Sequence, residues 1–171
     1  MRVPAIIFPA LLLFALLASC TNPFAPKLEP GLSNLSSTLG DQRTVAGVFQ
    51  NVQYAFTYGD TLIYGSLLHP DFQFRYYNPD RAAEVAFNRD EEMRIAWNLF
   101  HSADQIDIQW NDFISQDGDS VRLTVTRAYT MKIILQASET FRIDGRAQFR
   151  LTRNAPTDVW LIRTWFDESN S

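Results

Sequence analysis

The chain is poor in the residues that build reactive or cross-linked sites: its 171 residues hold one cysteine, two histidines and seven glycines. The cysteine, Cys20, stands near the start, so everything after it lacks a thiol for a disulfide, a metal site or a nucleophile. His69 and His101 fall in different segments at a spacing that suits no metal motif. Neither H-E-x-x-H, G-x-S-x-G nor a Gly-rich phosphate loop occurs. No metal and no cofactor is expected from this set. A basic stripe is also missing. Fifteen Lys and Arg against nineteen Asp and Glu leave a formal charge of −4, which argues against a nucleic-acid partner. What is present, 46% hydrophobic and 13% aromatic residues, is the composition of a globular domain.

The one long apolar run follows Arg2 and extends from Val3 to Leu17, broken by Pro4 and Pro9. At about 15 residues it is shorter than the roughly 20 that a spanning helix needs. It closes on Leu17-Ala18-Ser19-Cys20, which resembles the bacterial lipobox. The expectation is a cleaved signal over residues 1–19 and a lipid, palmitate included, on Cys20. An ordinary signal peptide or an uncleaved anchor would share the apolar run; the place of the lone cysteine favours lipidation. Two or more acyl chains hold a protein stably on a membrane, at about 0.8 kcal/mol per buried methylene. Thr21 after the cysteine resembles the signal for the outer membrane, so an envelope protein facing the periplasm is expected.

Residues 20–43 carry Pro23, Pro26, Pro30, Gly31 and a polar run, the composition of a flexible linker. Residues 44–171 suit one domain with one core. Val45, Val48, Phe49, Val52 and Phe56 recur at helical spacing, with Gly59 as a stop. A short second helix follows and ends at His69-Pro70; Phe72, Phe74 and Tyr76 then alternate as a strand. Asn88 with Glu91 predicts a capping box and a third helix bearing Met93, Trp97 and Phe100. Beyond residue 105 the period changes to two. Strands are predicted from Ile106, over Val121–Leu135 and Glu139–Arg153, and last over Val159–Phe166, with a hairpin turn at Gln116–Asp119. Three helices followed by long antiparallel strands make an α+β layout.

This order resembles the NTF2-like superfamily, in which a curved antiparallel sheet wraps three N-terminal helices into a cone. The resemblance covers about residues 44–168. It is carried by Tyr58-Gly59-Asp60, by Leu67-Leu68-His69-Pro70-Asp71-Phe72-Gln73-Phe74 and by the stretch from Val159 to Asp167. It implies a cone that hosts a small molecule, and homodimers through the sheet. It is nearly silent on function, because the fold serves many activities.

Asp60 has two readings: an N-cap for the second helix, or the acid that some isomerases and dehydratases of this superfamily use, with Tyr54 or Tyr64 as the phenol partner. Arg127 falls on the apolar face of its strand with Tyr129, where a bare charge is costly. It would meet a ligand in the cone mouth, pair with a core carboxylate, or return to solvent through a β-bulge. Tyr64 and Trp97 complete the ligand-binding candidates. The function expected first is a lipid-anchored, non-catalytic domain that binds a small molecule or a protein partner of the envelope. Its rivals are an acid–base enzyme resembling ketosteroid isomerase or a dehydratase, with Asp60 and Tyr54 as its catalytic residues, and a purely structural protein with a filled cone.

Overall fold

The computed structural model describes residues 39–135 and 139–170. The expected export signal, Cys20 and the expected linker up to residue 38 lie outside the described residues. Among the described residues no helix is long and apolar enough to cross a membrane.

Helix α1 (Val45–Tyr58) starts where Thr44 caps the backbone N–H of Gly47 and stops at Gly59, whose φ of 63° is the left-handed turn a helix end favours. Its buried stripe of Val48, Phe49, Val52 and Phe56 is the expected one, joined by Ala55, while Val45 at its start is only partly buried. Helix α2 (Thr61–Leu67) leads directly into strand β1 (Leu68–Asn78), and helix α3 (Arg89–Ser102) opens on the capping box of Asn88 and Glu91. Strands β3 (Gln105–Gly118), β4 (Arg122–Leu135), β5 (Glu139–Thr152) and β6 (Leu161–Asn170) form the meander. The architecture is the expected α+β cone of three helices on a curved sheet.

Two features of the sheet differ from expectation. A strand β2 (Ala83–Asn88) fills the interval before α3, pairing antiparallel with β1. Its alternation is weak because only Val85 and Phe87 are partly covered. The sheet order is β2-β1-β6-β5-β4-β3, and β1 runs parallel to β6. The last strand thus lies near the middle of the sheet, and its inward side chains face the helices.

The end of the linker is docked on the domain. Asn51, buried on α1, accepts from the Gly40 N–H at 2.6 Å and donates to the Gly40 carbonyl at 3.0 Å. Gln42 exchanges main-chain and side-chain hydrogen bonds with Trp160. Residues 40–43, read from the sequence as linker, therefore contribute partners to the core. A buried Asn and the residue leading into β6 would otherwise keep unpaired polar groups.

Candidate active site

The helices do not fill the cone. Between α1, α3 and the concave face of the sheet lies a cavity of about 230 Å³. Its wall is mostly apolar, with Phe56 of α1, Ala96 and Leu99 of α3, Phe74 of β1, Met131 of β4 and Ile143 of β5. An apolar cavity of about 150 Å³ accepts benzene, and ordinary ligand pockets begin near 300 Å³. The space therefore suits a molecule of one or two rings.

Two carboxyl groups open into this apolar space: Glu92 from the first turn of α3 and Asp167 from β6. Each is held by one phenol. The Tyr64 hydroxyl on α2 donates to Glu92 Oε1 at 2.7 Å, and the Tyr129 hydroxyl on β4 donates to Asp167 Oδ1 at 2.8 Å. Glu92 is only 6% exposed, and Tyr64 is fully buried.

Burial pushes the Glu92 carboxyl above the usual carboxylate range, with the Tyr64 hydrogen bond pulling the other way. Burial raises Asp167 too, but against more opposition: Tyr129, Ser169 and Trp165 all favour its charged form. Both phenols are pushed upward, first by burial and then by the carboxylate each one faces. They are donors throughout the physiological range. One carboxyl with a single donor and another with several is an arrangement that separates the two in acidity, which acid–base chemistry requires.

The local fold places these groups. On β6 the period of two carries Trp165, Asp167 and Ser169 onto the concave face. On α3, Glu92, Ala96 and Leu99 stand at helical spacing on the inward stripe, so Glu92 is a carboxyl on an otherwise apolar face.

Of the residues singled out in the sequence, Tyr129 lines the cavity and Tyr64 reaches its wall through Glu92. Asp60 does not: its carboxylate caps α2 by accepting from the N–H groups of Leu62 and Ile63 at 3.0 and 2.9 Å. Tyr54 packs against Tyr58 with the rings tilted and their centroids 4.6 Å apart, outside the cavity wall. Trp97 is 51% exposed and stacks on His101, facing away from the cone.

Arg127 stays on the inner face but is not part of this cavity's wall. Its Nη2 donates to the carbonyls of Trp110 and Asn111 at 3.3 and 2.8 Å, and its guanidinium lies 5.3 Å from the Phe49 ring centre. These carbonyls belong to a stretch where β3 slips twice in register against β4. A bulge frees carbonyls from the ladder, and the arginine satisfies them.

Neither a family model nor a curated protein matches the sequence. Solved structures do match in fold. A candidate scytalone dehydratase from Novosphingobium aromaticivorans superposes with a TM-score of 0.64 at 10% identity, over 82% of this chain and 89% of that one. A hexachlorocyclohexane dehydrochlorinase, LinA type 2, gives 0.60 at 9% identity, over 82% and 90%. A candidate aromatic-ring hydroxylase from N. aromaticivorans gives 0.62 at 11%, over 75% and 87%. At such identities the likeness speaks for the fold, which is NTF2-like.

The neighbours named for a dehydratase, a dehydrochlorinase and a hydroxylase run against the expectation of a non-catalytic binding domain and side with its enzymatic rival. The cone is not packed shut, since it keeps a cavity of about 230 Å³. The two carboxyls lie on α3 and β6, far apart in sequence, so no local motif announces them.

Proposed function

We propose that the cone is the active site of a small acid–base enzyme that moves a proton at a carbon of a compact, largely apolar molecule. The reading rests on one observation: Glu92 and Asp167, both raised by burial and each held by a tyrosine, open into the same apolar cavity. The dehydratase and dehydrochlorinase names among its structural neighbours are consistent with an elimination.

Asp167, with the larger set of donors, is the base. It takes a proton from substrate carbon as the C–H pair becomes a new C=C bond. Glu92, more deeply desolvated and so the readier of the two to hold a proton, gives it to the departing group, or to the far carbon in an isomerisation. Exchange with solvent then resets the two carboxyls. Such groups contribute about 10²–10⁴-fold each.

The test uses exchange of the C2 protons of 1-indanone in D₂O, followed by proton NMR with the full chain. Exchange faster than buffer, lost in Asp167→Asn, is the expected result. Equal rates for the wild type and the variant across a panel of small cyclic ketones overturn the reading.

We propose also that Cys20 carries the lipid and holds this enzyme on the envelope, at the outer membrane. The support is the lipobox-like Leu17-Ala18-Ser19-Cys20 closing the apolar run, followed by Thr21. Intact mass from a lipidating host is expected to show a chain beginning at Cys20 with added acyl mass. An unmodified soluble chain contradicts it.

A further inference from the structure

The cavity meets the outside at apolar side chains. Ile95 of α3 lines the wall and is 43% exposed, while the other wall residues are buried or half-buried, so the opening lies beside it. Phe87 of β2 and Ile143 of β5 are half-buried members of the same wall. One step outward from Ile143 on the concave face stands Phe141, opposite Ile133 and 48% exposed.

Three elements that meet only in the folded chain thus turn apolar side chains outward around one opening. The fold gains no stability from this, because apolar area left in water is burial forgone. Phe113, Ile114, Leu62 and Trp97 are exposed too, but none of them lines this cavity. Single exposed apolar residues are ordinary. A collar of them at the mouth of an apolar cavity marks a surface that meets something apolar.

We infer that this collar lies on the lipid surface, so that the cavity opens into the bilayer. The inference rests on the lipid proposed for Cys20 and extends it from attachment to orientation. Cys20 stands about 19 residues ahead of Leu39, where the described chain begins. That length spans about 65 Å at full extension, against a diameter of about 35 Å for a domain of this size. The anchor can therefore present any face to the membrane, and the face that settles there is the one with affinity of its own. Tethering also keeps lipid at a high local concentration, so a few shallow apolar contacts are enough. The collar is uncharged and the chain carries −4, so anionic headgroups are not the attraction. An apolar molecule dissolved in the lipid then reaches the carboxyls without crossing water.

The experiment uses the full chain from a lipidating host in phosphatidylcholine vesicles, with intact mass taken on the same sample. With Cys20 blocked by lipid, one added cysteine takes a nitroxide. The positions are Phe141→Cys at the collar, Leu62→Cys on α2, and Asn154→Cys beyond the other end of β5. Accessibility is read with oxygen, which concentrates in lipid, and with a nickel chelate, which stays in water. The ratio of oxygen to nickel collisions is expected to be at least several-fold higher at Phe141→Cys than at the other two, and unchanged by anionic lipid.

A collar label that meets nickel as freely as the one at Asn154→Cys overturns the inference. So does a label at Leu62→Cys that enters the lipid in its place, or lipid contact that appears only with anionic headgroups. A collar label hidden from both reagents means that a protein partner or a second copy covers the mouth, and overturns it too. Ile95→Cys repeats the reading where Phe141→Cys fails to fold. A chain without lipid on Cys20 sinks the anchor and this inference together; a lipidated chain whose collar stays in water sinks the collar alone.

Discussion

Tyr129 reaches Asp167 by crossing over Gly145: the tyrosine is on β4, the glycine opposite it on β5, and the aspartate on β6 beyond. A Cβ at Gly145 would stand 2.8 Å from the Cα of Ser169 and 3.1 Å from Tyr129 Cε1. The backbone has no room to give. Gly145→Ala is therefore expected to lower the Tm by several degrees and to reduce C2 exchange, by pushing the phenol off the carboxyl. Unchanged stability and exchange would show that the crossing is not needed.

Tyr129→Phe isolates the electrostatic part. The hydroxyl favours the charged form of Asp167, so its loss pushes that carboxyl still higher. The base is then ionised only at higher pH. The acidic limb of the pH–rate profile is expected to move up, with the plateau reached later. A limb that stays in place, or moves down, excludes Asp167 as the titrating base.

Glu92 links the site to stability. Its carboxyl holds a proton more tightly in the folded chain than in the unfolded one. Stability therefore falls as pH rises from the ordinary carboxylate range through the raised folded value, and is level above it. Glu92→Gln removes that penalty while its amide oxygen still accepts from Tyr64. At pH 8 the variant is expected to melt a few degrees above the wild type, with the gap closing near pH 4. It should also lose turnover of any substrate that needs the acid. A variant less stable at pH 8 than at pH 4, relative to wild type, contradicts the raised carboxyl.

Asp60 separates capping from catalysis. Asp60→Ala deprives the N–H groups of Leu62 and Ile63 of their acceptor, a loss of about 1 kcal/mol for a helix cap. Thermal melting should show that loss, and C2 exchange should be unchanged. A collapse of exchange with intact stability would return Asp60 to the active site.

Much of the fold was legible because periodicity is local. The stripe from Val45 to Phe56, the Asn88–Glu91 box and the alternation of β4 and β5 each declare themselves within a dozen residues. The carboxyls were harder, because a site assembled from α3 and β6 leaves no spacing to read. Glu92 falls in the acidic first turn of α3, but Ala96 and Leu99 place it equally on the inward stripe. Asp167 and Ser169 continue the alternation of Trp165; ending the strand at Phe166 hid them. Arg127 was correctly suspect as a charge on an inner face, but its partners are bulge carbonyls, which side-chain pattern does not reveal.

The most direct measurement is a ¹³C NMR titration of the side-chain carboxyls of Glu92 and Asp167 in the full chain, assigned with Glu92→Gln and Asp167→Asn. Two carboxyls that open into one apolar cavity and serve as acid and base should both titrate above the ordinary carboxylate range, with Glu92 the higher. Titration of both near pH 4, as for solvated side chains, would contradict a buried acid–base site and with it the proposed enzyme.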